Sequence, residues 1–169
     1  MAYRPIVVAL VCIIGLAARP GVSVAYADAP QQSWWMEQSY SPDQKVARGI
    51  SAKKYNPAWV SLRALSLADL PRDVSAHSLG KFTFVARADL NRNGIAETIS
   101  VGVYRDVEEK TGRYLAITER GRVLKSFAKP GPTGFSALLK TGREIRWYFC
   151  MECEDFERLS WSGGTFVLD

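Results

Sequence analysis

The chain is predicted to be mainly β. The fold expected is an antiparallel meander of about eight short strands, in one strongly twisted sheet or two packed sheets. One or two short helices should precede it. Three observations carry this expectation. From Phe82 onward apolar residues recur with period two. Glycine, proline, asparagine and aspartate punctuate the sequence at short intervals. No helical repeat survives past Pro71.

The first residues carry an export pattern. Arg4 supplies a positive start, and Ile6 to Ala18 is an apolar run of 13 residues, short for a bilayer span. Ala25-Tyr26-Ala27 fits a small-residue cleavage site. Residues 1–27 are therefore expected to be a signal peptide, cut before Asp28. An uncleaved anchor, a cut after Ala29 and a lipoprotein at Cys12 are the alternatives. Cleavage leaves 142 residues, one domain's worth. It also removes Arg4 and Arg19, so the formal charge falls from +5 to +3. Acidic and basic residues are interspersed, which argues against nucleic acid as a partner. No second long apolar segment follows, so the mature chain should be soluble, not membrane-bound, and monomeric. It should be periplasmic or secreted.

Residues 28–40 read as a flexible leader, in which Trp34, Trp35 and Met36 either pack back on the domain or offer an aromatic contact to a partner. Residues 41–81 read as short helices and a loop. Ser41-Pro42-Asp43-Gln44 has the residues of a capping box, with Gly49 as a stop. Asn56-Pro57 opens a second candidate helix. Trp59, Leu62, Leu65 and Leu70 fall near one face of it before Pro71 ends it.

The β domain covers residues 82–169. Its expected strands are Phe82–Ala88, Thr98–Tyr104, Tyr114–Thr118, Arg122–Phe127, Phe135–Leu139, Glu144–Cys150, Arg158–Trp161 and Thr165–Leu168. In the second, Ile99, Val101 and Val103 share one face, and Ser100, Gly102 and Tyr104 the other. Leu115 pairs with Ile117, and Ile145 with Trp147 and Phe149. Lys129 to Gly134 reads as a loop by composition.

One turn carries chemistry. Asp89-Leu90-Asn91-Arg92-Asn93-Gly94-Ile95-Ala96-Glu97 sets oxygen-bearing side chains at positions 1, 3, 5 and 9, with glycine at 6. Calcium takes six to eight oxygens. Asp89, Asn91, Asn93 and Glu97 can supply side-chain oxygens and Ile95 its carbonyl. Arg92 holds an alternate position from which it can point away. Only two ligands are anionic, so affinity should be modest. The alternative is a metal-free Asn-Gly turn whose asparagines bond their own backbone. The pattern resembles the calcium loop of the FG-GAP or VCBS repeats of integrin-type propellers, over about 25 of 169 residues and once only. The resemblance implies a structural calcium ion between two antiparallel strands. A propeller is not implied, because that fold needs several blades.

Cys150 and Cys153 remain after cleavage. A structural disulfide, a redox C-x-x-C and a zinc site are the three readings. Glu152, Glu154 and Asp155 surround the pair with negative charge, which disfavours a reactive thiolate. Zinc would need two more ligands, and His77 is the only histidine. The motifs of common hydrolases are absent. The expected function is thus an exported, non-enzymatic binding or interaction module with an unknown protein or cell-envelope partner. A thiol–disulfide or hydrolytic enzyme, or an inhibitor of a cell-wall enzyme, is the alternative.

Overall fold

The computed structural model describes residues 34–72, 74 and 79–169. The expected signal peptide, the first residues of the expected leader and His77 lie outside the described residues. The described part is mainly β, with strands in three antiparallel sheets.

Chain order runs as follows. A 3₁₀ turn covers Trp34–Met36. A small hairpin joins β1 (Val46–Ala47) to β2 (Ile50–Ser51), and one helical turn, α1, spans Ala52–Tyr55. Strand β3 is Trp59–Ala64, and a second 3₁₀ turn covers Leu67–Asp69. Then come β4 (Phe82–Thr83), β5 (Val85–Ala88), β6 (Glu97–Asp106), β7 (Thr111–Glu119) and β8 (Arg122–Pro130). The chain closes with β9 (Ala137–Thr141), β10 (Glu144–Tyr148), β11 (Phe156–Ser162) and β12 (Thr165–Leu168).

The first large sheet runs β3-β6-β7-β8, with β5 also on β6. Strands β5 and β3 share one edge of β6, pairing its residues Glu97 to Ser100 and Gly102 to Asp106 respectively. The second runs β12-β11-β10-β9-β4. The main core draws on both sheets. Ile99, Val101, Val103, Leu115 and Ile117 come from the first, and Ala137, Leu138, Ile145, Trp147, Leu159 and Phe166 from the second. The face predicted for β6 is the face that is buried there. The opposite face of β6 and β7 builds a second cluster with Tyr104 and Tyr114, capped by Ala47, Ile50, Tyr55, Trp59 and Leu62. Trp59 stacks on Tyr104 with centroids 4.5 Å apart. Glycine is required beneath these rings. A Cβ on Gly102 would lie 2.2 Å from the Arg63 carbonyl and 2.6 Å from the Tyr114 ring. Its cross-strand partner is Tyr114, and Gly112 sits opposite Tyr104 in the same way.

Three expectations for residues 41–88 are corrected. The helix expected from Ser41 is extended chain leading into a hairpin. Gln44 bridges Leu62, and Arg48 and Gly49 take positive φ, as a tight hairpin turn demands. The helix expected from Asn56 is β3, with α1 before it. Asn56 Oδ1 accepts the Ala58 N–H at 2.9 Å, an Asx turn and not a helix N-cap; the residue instead ends α1 as its C-cap. A β-bulge between Trp59 and Ser61 inserts one residue. Trp59 and Leu62, three apart, therefore reach one cluster and imitate helical spacing. Leu65 belongs to the other core. Finally, Phe82–Ala88 is not one strand. Phe82 and Thr83 pair with β9, while Val85 to Ala88 pair with β6. The chain changes sheet at buried Phe84.

Trp34 and Trp35 pack on Phe135 of the main core, with centroids 5.6 Å and 6.3 Å away. Met36 is exposed. Lys129 and Pro130 continue β8 instead of opening the expected loop.

Candidate metal centre

Strand β5 ends at Ala88, which pairs with Glu97, the first residue of β6. The eight residues between them must reverse the chain. Gly94 does so at φ 84°, and Arg92 at φ 59°; the second is uncommon for a side-chain-bearing residue. Three amide-to-side-chain hydrogen bonds hold the turn, two of them Asx turns. Gly94 N–H donates to Asp89 Oδ2 at 3.1 Å, Asn93 N–H to Asn91 Oδ1 at 2.9 Å, and Ile95 N–H to Asn93 Oδ1 at 2.8 Å. Asp89, Asn91 and Asn93 thus each turn an oxygen toward the loop's own backbone. The side chain of Arg92 is exposed.

Glu97 closes the loop from below. It is fully buried at 0 % exposure. Its Oε2 accepts the Leu90 N–H at 2.8 Å. Its Oε1 is buried and has no hydrogen-bond partner, and neither has Asp89 Oδ1. Four other buried side-chain atoms share that condition among the described residues, but those belong to neutral tryptophan, tyrosine and serine groups. A buried carboxylate oxygen without a donor or a cation is costly. In each of these two carboxylates, one oxygen is pinned by a loop amide and the other is left over.

The spacing did not reveal a further residue. Asn93 Nδ2 donates to Glu119 Oε2 at 2.8 Å. Glu119 ends β7 and is only 7 % exposed. Thr98 pairs with Thr118, so Glu119 lies one residue past that pair, as Glu97 does on the neighbouring strand. Turn residues Arg120 and Gly121, both at positive φ, hold it there. The signal that could have found it is the register of the β6–β7 hairpin.

Among the described residues, no three histidine, cysteine, aspartate or glutamate side chains gather as a metal cluster. The loop offers two carboxylates; its other expected oxygens are amide and carbonyl. The donor set, all oxygen, suits a hard cation such as calcium.

The loop borders a cleft of about 590 Å³, lined by Asp89, Asn91, Arg92, Arg143, Arg158 and Trp161 among others. Trp161, exposed on β11, also borders the smaller hollow that contains Asn93 and Glu119.

Cys150 and Cys153 are joined by a disulfide in the turn after β10. Cys150 is 7 % exposed. Around it Lys129 and Arg113 approach the Phe149 ring, at 4.0 Å and 5.5 Å from its centroid. The loop and the disulfide are separate features. The first reverses β5 into β6; the second closes the turn between β10 and β11.

No family model matches this chain, and no curated protein or solved structure matches it.

Proposed function

We propose that the protein is an exported, non-enzymatic binding or interaction module for a cell-envelope partner. In this reading a calcium ion clamps the turn from β5 to β6, with Asp89, Asn91, Asn93, Ile95 and Glu97 as its ligands. The observation that carries the metal reading is the pair of buried, partnerless carboxylate oxygens, Asp89 Oδ1 and Glu97 Oε1. A divalent cation would satisfy both at once. It would also cancel the charge of two carboxylates that form no ion pair among the described residues. The ion's chemistry would be structural. It would hold two strands of the first sheet in register and fix the rim of the Trp161 cleft. Export rests on residues 1–27, whose charged start, apolar run and small-residue end form a cleavable leader.

The direct test is a calcium titration of the mature chain followed by amide NMR. The Gly94 amide bonds Asp89 Oδ2 and should shift with a saturating curve. With two carboxylates the dissociation constant should be on the order of 0.1–1 mM, the range of extracellular modules. Amides of residues 89–97 that stay fixed to 10 mM calcium would return the loop to a metal-free Asn-Gly turn.

A further inference from the structure

We infer that Glu119 is the positioning residue of this loop, acting through Asn93. The inference rests on the calcium reading and extends it to a residue on another strand, 26 positions along the chain from Asn93. An asparagine amide has two ends that look alike in shape and differ in chemistry: an oxygen that can hold a cation and an NH₂ that repels one. Two neighbours decide the orientation here. The Ile95 N–H needs an acceptor and takes Asn93 Oδ1. The Glu119 carboxylate needs a donor and takes Asn93 Nδ2. Both demands agree, so the oxygen is turned into the loop and the NH₂ outward. Without Glu119 only the Ile95 amide opposes a flip.

A second observation sets Glu119 in this role. Glu97 and Glu119 each lie one residue past the Thr98–Thr118 pair, on adjacent strands. Both are buried, at 0 % and 7 % exposure. Like charges in such cross-strand positions oppose folding, so a donor on Glu119 matters, and among the described residues the Asn93 amide is the one bonded to its Oε2. Glu119 is not itself one of three converging ligands. Its effect runs through the amide it orients, in the way that hydrogen-bonded partners of metal ligands tune affinity.

The test compares calcium dissociation constants, by the Gly94 amide shift, for four proteins: wild type, Glu119→Ala, Glu119→Gln and the double variant Asn93→Asp/Glu119→Gln. Melting in chelator establishes that each is folded. Glu119→Ala should weaken calcium roughly 10–100-fold. Glu119→Gln keeps an oxygen for Asn93 Nδ2 and should recover most of that loss. The double variant reverses the hydrogen bond, with Gln as donor and Asp as acceptor, and should bind at least as well as wild type. If Glu119→Ala does not fold, the other two variants decide. Wild-type affinity in Glu119→Ala would overturn the inference. So would equal losses in Ala and Gln variants, which would trace the effect to charge alone. Binding in the double variant as weak as in Glu119→Ala would also overturn it. A wild-type protein without any calcium response would overturn the metal reading itself, a separate outcome from all of these.

Discussion

Replacing Glu97 by glutamine should change stability with opposite signs in chelator and in calcium. Glu97 is fully buried, and one of its oxygens has no partner. The other holds the Leu90 N–H at 2.8 Å. Glutamine keeps an oxygen for that amide and removes the uncompensated charge, but it sets an NH₂ where Oε1 stood. A buried polar group left unsatisfied costs about 1–3 kcal/mol, more when charged, so the gain is the charged excess alone. In chelator the variant should therefore be more stable by about 1 kcal/mol. At roughly 4 °C per kcal/mol for a domain of this size, that is a rise in Tm of about 4 °C. In millimolar calcium the wild type gains the ion and Glu97→Gln does not, so its advantage should shrink or reverse. Calorimetric melts of both proteins in the two conditions read all four values. A variant that melts below wild type in chelator would refute the reasoning, because the buried oxygen would then be stabilising without an ion.

Gly102→Ala should destabilise the protein by about 3 kcal/mol or more in denaturant titration, since its Cβ would meet the Arg63 carbonyl at 2.2 Å and the Tyr114 ring at 2.6 Å. Replacing both Cys150 and Cys153 by serine should cost at most about 2 kcal/mol, because the closed loop is very short; without reductant, alkylation of the native protein should modify neither cysteine. Burial, with Asp69 adding to it and Arg63 opposing, pushes the Tyr40 hydroxyl up to about 12. Burial likewise raises Tyr114, Tyr55 and Tyr104. An unfolded chain loses these protons near pH 10 while the folded one keeps them, so stability is intact below pH 10 and falls as pH rises from 10 to 12. Phenolate absorbance from these four tyrosines should accordingly appear together with unfolding, not before it.

The β domain was legible because its strands have two differently filled faces. Ile99, Val101 and Val103 face the main core, and Tyr104 and Tyr114 the second cluster, so alternation alone places them. Residues 41–64 were not legible. A bulge puts Trp59 and Leu62 on one side at a helix-like interval, and the residues of a capping box at Ser41 stand in extended chain. The sheet change at Phe84 was hidden because Phe82–Ala88 is one uninterrupted strand-like run. Its local mark is a Thr83 hydroxyl that bonds the Val85 backbone. In the loop, Asp89 to Glu97 followed from spacing. Glu119 did not, because its place beside Asn93 depends on strand register, a long-range property that no local pattern encodes.

The central claim is that the β5–β6 loop binds calcium through Asp89 and Glu97. Its most direct test is differential scanning calorimetry of wild type and Asp89→Ala, each in chelator and in calcium at about ten times the dissociation constant. Binding to the folded state alone should stabilise wild type by about 1.4 kcal/mol, or roughly 5–6 °C, and Asp89→Ala should not respond. Identical wild-type melting temperatures in chelator and in calcium would contradict the account.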